Sequence, residues 1–440
     1  MDGLRLNTVR TPKSLTRRHL PPIDTESIRR AAVTTRAFEA TVKRPVPEQP
    51  RIVSSAHGVI RHILLCYPSY AGGDDVYRDV FVDLFRQLPE AVELTVVAHS
   101  SVVADIEKAA DTERPRSQTT IVEAPNYLRF SVWAEDPYVV VEDIGSDTTR
   151  RFLVEPFTFP RGGDSVVADL VAEASDVQSM QSPLFFQGGN ILIGDDFVLI
   201  GVDYLYETLD TFLRYQPVIG MPEDKSKAQD FIVDLFQQTF DRDRKIFFAG
   251  TRLRVPDTER REVRIDGEKW TEVLYEGTGH HQPIFHIDMF LSLTGRGESG
   301  RYRVLVGSPA LADRLLDRPS VAHGLNEVFD DVARQLQTQG FEVVRNPLPL
   351  TFVDDPDAKE RFWYFATSNN CLVQIDEDEG SQVWLPTYGH GAWEDLAVTD
   401  EANRQVWEDI GFTVHQLADF NVFAQNLGSV HCIKKYLARS

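Results

Sequence analysis

Two stretches of this chain, "QGFEVV" at 339–344 and "IGFTVH" at 410–415, are nearly the same junction used twice. In each, an amphipathic helical pattern stops at a glycine and a strand-like run follows. Leu325, Val328, Phe329, Val332 and Leu336 share one helical face ahead of Gly340,. Asp400 is expected as the N-cap of the second helix, with Gly411 as its stop,. The alternation also occurs earlier. "RHILLCYP" is strand-like, "VYRDVFVDLFRQL" puts Val76, Val80, Phe81, Leu84 and Phe85 on one helical face, and "VELTVVAH" is a strand again,. Helices alternating with strands predict an α/β fold, and recurrence of one junction predicts repeated units.

Residues 202–282 interrupt the pattern and are expected to be partly an insertion, with a helix over 228–240 and a solvated hairpin or loop at "PDTERREVRIDGEKW". Residues 1–55 are polar and carry prolines at 12, 21, 22, 45, 47 and 50. They are expected to form a loosely attached arm with one short helix after Asp24, leaving 56–440 as a single domain. The net charge of −21 disfavours a nucleic-acid partner and suits a cationic one,. No apolar run approaches the roughly 20 residues a membrane helix needs. The start has no apolar h-region, so no secretory signal is expected. The cysteines, Cys66, Cys371 and Cys432, are three in number with no paired spacing. Neither a disulfide scaffold nor a structural zinc site is expected, and a cytoplasmic location fits best.

Five short segments carry candidate chemistry. "LGSVHC" puts Cys432 beside His431; if 430–433 is a strand, the two side chains face opposite ways and the acid/base partner of Cys432 comes from elsewhere. "HIDM", read as a strand, places His286 and Asp288 on one face, a carboxylate-oriented imidazole suited to acid/base work. "WAEDPY" offers Trp133, Glu135 and Asp136, a ring and two acids that suit a cation. "QGGN" holds Gln187, Gly188, Gly189 and Asn190, where paired glycines let backbone approach a ligand. "SNNC" puts Asn370 ahead of a strand pair. The grouping of His280, His281, His286 and Asp288 offers zinc-ligand types, but at irregular spacing that leaves Cys432 unexplained.

In this order the segments resemble the guanidino-modifying enzymes, the pentein superfamily, and most closely its agmatine deiminase and bacterial peptidylarginine deiminase branch. The resemblance covers residues 58–436. It implies an α/β propeller of five ββαβ units around a pseudo-fivefold axis, no cofactor or metal, and a small cationic guanidino substrate, in a chain that can form a homo-oligomer. It also implies the roles: Cys432 attacks the guanidinium carbon, His286 protonates the leaving nitrogen and activates water, and Asp136 and Asp288 hold the cation. Trp133, Glu135, Gln187, Gly188, Gly189, Asn190 and Asn370 line the site. The expected reaction is deimination through a cysteine-bound amidino intermediate, with amidino transfer to an amine, or binding without turnover, as the alternatives.

Three departures from the family pattern stand out: Gln187 where a glutamate precedes the glycine pair, Glu135 where an arginine precedes the aspartate, and Gly428–Ser429 in place of Gly-Gly. Gln187 is expected to reach the histidine as a neutral amide, and Glu135 to receive a second cationic group of the substrate.

Overall fold

The computed structural model describes residues 25–42, 47–73, 75–145, 149–219, 222 and 224–440. Among them one arrangement recurs five times: two antiparallel strands, a helical crossover, and a third strand parallel to the second. Val139–Asp143, Arg150–Glu155 and Gln178–Gln181 form one such unit around the helix Gly162–Ala174. Ile191–Ile193, Phe197–Gly201 and Lys245–Ala249 form the next, with helices Val202–Ile219 and Lys225–Phe240 as the crossover. Leu291–Arg296, Tyr302–Ser308 and Glu342–Pro347 form a third. Leu372–Gln374, Gln382–Thr387 and Thr413–Asp419 form a fourth.

The fifth unit joins distant parts of the chain. The last strand, Lys434–Arg439, lies antiparallel to Ile60–Tyr67, which runs parallel to Glu93–His99 across the helix Asp75–Gln87. Thr119–Ala124 extends that sheet. A parallel strand requires a crossover, and an amphipathic helix supplies one that covers the sheet.

The expected junctions form for the reasons given. Leu325, Val328, Phe329, Val332 and Leu336 are all buried. Gly340 and Gly411 adopt φ of +100° and +97°, the left-handed conformation that ends a helix cheaply only at glycine,. Two details differ. Val76 is exposed, because it lies in the first turn of its helix before the buried stripe begins. Asp400 sits inside the helix Ala397–Asp409, where its buried Oδ2 accepts the amides of Tyr388 and Gly389, each at 2.8 Å. It caps the preceding loop rather than the helix.

The expected insertion is largely part of the repeat. Residues 202–249 supply the crossover helices and third strand of the unit that begins at Ile191. Only the charged stretch stands apart, as the hairpin Glu259–Ile265 and Glu268–Leu274. It joins Leu350–Asp355 and Glu360–Phe365 in a separate sheet.

The expected arm over 1–55 falls partly outside the described residues, at 1–24 and 43–46. Its described part is longer in helix and closer to the body than expected. The helix spans Thr25–Val42, and Pro50–Ile52 pairs with Val139–Asp143. Phe38 is fully buried, edge-on to Phe157 and Phe212 with centroids 4.7 and 5.0 Å away. Phe38→Ala is expected to cost about 3–5 kcal/mol, the range for emptying a buried aromatic site. A lowered urea midpoint with an unchanged slope would measure it; an unchanged midpoint would show that the helix contributes nothing to the body.

Candidate active site

Each candidate segment occupies the same position in its unit, the turn that leads into the first strand. Trp133–Asp136 precedes Val139–Asp143, Gly188–Asn190 precedes Ile191–Ile193, and His286–Met289 precedes Leu291–Arg296. Asn370 precedes Leu372–Gln374, and Cys432 precedes Lys434–Arg439. The repeat therefore places five segments, separated by as many as 299 residues, in equivalent turns.

Those turns bond to one another. Gly188 N donates to the Asp136 carbonyl at 3.0 Å, and Glu135 N donates to the Cys432 carbonyl at 3.1 Å. Asn370 brackets the cysteine: its Nδ2 lies 3.1 Å from Cys432 Sγ, and its Oδ1 accepts Cys432 N at 3.2 Å. Asp288 Oδ2 lies 3.7 Å from Cys432 Sγ, and His286 Nδ1 lies 3.5 Å from Asp136 Oδ1. Gly189 locates the common centre. A methyl group at its Cα would stand 2.6 Å from His286 Nδ1, 3.1 Å from Asp288 Oδ2 and 3.2 Å from Asp136 Oδ1. A β-carbon cannot be accommodated there without displacing the histidine, so glycine is required by close approach rather than by its dihedral angles.

Two segments differ from their expected local form. His286 precedes a single 3-10 turn, Ile287–Met289, rather than lying in a strand. Residues 430–433 are likewise a turn, with the strand starting at Lys434. His431 and Cys432 therefore do not face opposite ways. His431 Nδ1 is 2.9 Å from Asp288 Oδ2, the same oxygen the thiol approaches.

Each aspartate has one oxygen engaged and one open. Asp136 Oδ2 accepts Arg161 Nη2 at 2.8 Å, and Arg161 Nε binds Asp164 Oδ2 at 2.5 Å. Asp164 in turn accepts Ser131 N and Oγ, each at 2.6 Å, which fixes the loop that carries Asp136. Asp136 Oδ1 and Asp288 Oδ1 are buried and have no hydrogen-bond donor among the described residues. A planar cation would thus meet one oxygen from each carboxylate, not the bidentate pair that two wholly free carboxylates would offer.

Burial dominates the electrostatics. It lowers His286 to about 4, against the opposing pull of Asp136, so the ring is neutral at neutral pH,. It raises Asp288 well above the ordinary carboxylate range, with Asp136 and Glu135 adding to the effect. It also raises the Cys432 thiol well above its usual value, and Asp288 adds to this. A bound cation reverses the last two effects, because it favours both the carboxylate and the thiolate.

Glu135 has a different role from the expected one. Its two oxygens bind Lys434 Nζ at 2.7 Å and Lys435 Nζ at 2.8 Å, all buried. Burial alone would raise this acid, but Lys434 and Lys435 bring it down to about 2. Both oxygens are thus already held by buried cations of the chain itself. Asn190 is also structural: its Oδ1 accepts Gln282 Nε2 at 2.9 Å and Ile287 N at 3.0 Å, which sets the histidine turn. Gln187 is half-buried and opens the glycine turn, but the far ring nitrogen of His286 meets Tyr204 Oη at 3.1 Å instead. Trp133 packs over Gly428, where a β-carbon would stand 2.2 Å from its ring, and edge-on to Phe423. Ser429 Oγ pairs with Tyr388 Oη at 2.8 Å. Cys66 is core, and Cys371 is buried beside Ser292 with its thiol raised by burial to about 12. Backbone amides of His280 and His281 donate to Asp203.

Arg161, Tyr204, His431, Lys434 and Lys435 were not foreseen as parts of the site. "KKY" at 434–436, two residues after Cys432, was the available signal, since paired lysines entering a buried strand require a buried acid,.

Solved structures share this architecture. One is a structural-genomics target described as a candidate agmatine deiminase, 14% identical over 89% of this chain and 97% of that one, with a TM-score of 0.59. Another is the agmatine deiminase of Enterococcus faecalis, 13% identical over 90% and 98%, with a TM-score of 0.56. The agmatine deiminase of C. jejuni is 12% identical over 89% and 97%, with a TM-score of 0.55. The chain has the pentein fold. It takes the form seen in the agmatine deiminase branch, as the ordered motifs led one to expect. No protein family and no curated protein matches the sequence itself. No helix among the described residues is long and apolar enough to cross a membrane.

Two outcomes follow from this geometry. Glu135→Gln leaves two buried ammonium groups without their anion and is expected to lower stability by about 3–5 kcal/mol. Unchanged denaturant unfolding would restore the substrate-binding role for this residue. Gly189→Ala is expected to abolish turnover while circular dichroism still reports a folded chain; retained activity would show that the centre marked by Gly189 is not where reaction occurs.

Proposed function

We propose that this chain is a deiminase that hydrolyses a small guanidino compound, with Cys432 as nucleophile. The observation that carries this reading is that the neutral imidazole of His286, Asp136 Oδ1 and Asp288 Oδ2 converge on Gly189, with the buried Cys432 thiol 3.7 Å from that same Asp288 oxygen. The likeness to agmatine deiminase structures is consistent with it. On this reading the five units are blades around one axis, and their equivalent turns line a shared central site.

The substrate guanidinium would rest between the carboxylates of Asp136 and Asp288, which puts its carbon near Cys432 Sγ. Its charge offsets the repulsion among buried acids and favours the thiolate. The thiol proton passes to Asp288 Oδ2, and sulfur bonds to the guanidinium carbon. The carbon–nitrogen bond of the leaving group breaks as the nitrogen takes a proton relayed through His286, so ammonia departs. An S-alkylthiouronium remains on the cysteine. His286 then takes a proton from water, whose oxygen adds to the same carbon. Cleavage of the carbon–sulfur bond gives a ureido product and restores the thiol.

Agmatine, arginine, arginyl peptides and simple alkylguanidines form the panel that tests this. At least one is expected to release ammonia and a ureido product in equal amounts. Cys432→Ala is expected to remove release, a loss of roughly a thousandfold or more, while substrate still binds. Product that appears only with an added amine would make the chain an amidinotransferase. Saturable binding with no product from any guanidine would make it a binding protein.

A further inference from the structure

The imidazole of His286 is held at both ends. Its Nδ1 faces the centre of the site, 3.5 Å from Asp136 Oδ1 and 2.6 Å from the point a Gly189 methyl would occupy. Its Nε2 faces away, 3.1 Å from the hydroxyl of Tyr204. That tyrosine belongs to the first turn of the helix Val202–Ile219 and is buried, with Phe185 edge-on to its ring at 5.6 Å.

Both sides of this contact are fixed. The neighbouring Asp203 accepts the amides of His281 at 2.9 Å and His280 at 3.2 Å, which ties the start of the helix to the segment leading into His286. From the other direction, Asn190 Oδ1 accepts Ile287 N and Gln282 Nε2. Neither ring can drift without breaking buried hydrogen bonds. Burial holds the Tyr204 hydroxyl far above its ordinary pKa, and nearby acids including Asp136, Glu207 and Asp203 add to this, so it stays a neutral phenol.

The tautomer follows from these positions. For Nδ1 to accept a proton at the site, the ring's resting proton must sit on Nε2. Nε2–H then needs an acceptor, and the Tyr204 oxygen is in place to be one. We infer that Tyr204 is the positioning residue of His286, its hydroxyl oxygen accepting Nε2–H so that Nδ1 faces the substrate as the base. This inference rests on the function proposed above. It assigns to a phenol on the helix that follows the next two strands the task that the sequence pattern gave to Gln187. A neutral partner orients the ring without stabilising its charged form as a carboxylate would, so the proton taken up is readily returned to the leaving nitrogen.

Nitrogen-15 histidine spectra of the intact chain, with the His286 signal assigned by its loss in His286→Gln, test the tautomer directly. The wild type is expected to show Nε2–H, and Tyr204→Phe a mixture of both tautomers. With the best guanidine of the panel, Tyr204→Phe is expected to lose about tenfold or more in kcat with KM changed less than about threefold. That is a fraction of the roughly 100- to 10,000-fold that positioned acid/base catalysis contributes. Tyr206→Phe, at an exposed tyrosine of the same helix, is expected to change neither. Nδ1–H in the wild type would overturn the inference, as would an unchanged tautomer and kcat in Tyr204→Phe. If the phenylalanine variant does not fold, the wild-type tautomer alone decides. If no guanidine is turned over, the proposed function fails, and the spectra still decide the role of Tyr204.

Discussion

The strand Lys434–Arg439 ties the turn that carries Cys432 to a strand near the other end of the described fold. Lys434–Arg439 pairs with Ile60–Tyr67, which anchors the turn just before it. The buried guanidinium of Arg439 donates to the carbonyls of Ser55, Ala56, Gly58 and Val373, at 2.7 to 3.0 Å. Lys434 and Lys435 meet Glu135. Cys432 therefore enters the centre on a turn that leads directly into a strand anchored by these bonds.

The charges around that thiol form a graded set. Glu135 is neutralised by two lysines, and one oxygen of Asp136 by Arg161. Asp288 has only neutral or weakly donating partners, His431 and the thiol itself. What remains is a buried pocket with unsatisfied negative potential at two carboxylate oxygens. Bringing like charges together in a low-dielectric site is costly, and a planar cation relieves that cost in one binding event. On the proposed function, the same binding event would lower the barrier to forming thiolate, so that affinity and reactivity would share one electrostatic cause.

The tyrosine behind His286 and the glutamate behind Cys432 both depart from what the motifs implied, and for the same reason. A motif identifies a turn, but a turn's side chains find partners on whichever element packs behind it. Here the helix of the neighbouring unit brings Tyr204 to the ring, and the final strand brings two lysines to Glu135. Chains about 14% identical can keep one architecture while such partners change, because the backbone geometry of the repeat fixes where turns go and not what stands behind them.

The sequence by itself determined the α/β repeat, since helical and strand periodicities and the glycines at 340 and 411 act over a few residues. It also supplied Cys432, His286, Asp288, Asp136, Gly189 and Asn370 as candidate site residues, each in a short, ordered motif, and the fold brings these candidates together. It misjudged the local form at 286–289 and 430–433, where strand alternation was assumed for what are turns. Only the tertiary structure decided which oxygen of each aspartate is open, that Glu135 is spent on lysines, and that Tyr204 rather than Gln187 meets the histidine. Those outcomes depend on contacts between residues from 25 to 300 positions apart, and no local pattern in a single chain encodes such a distance.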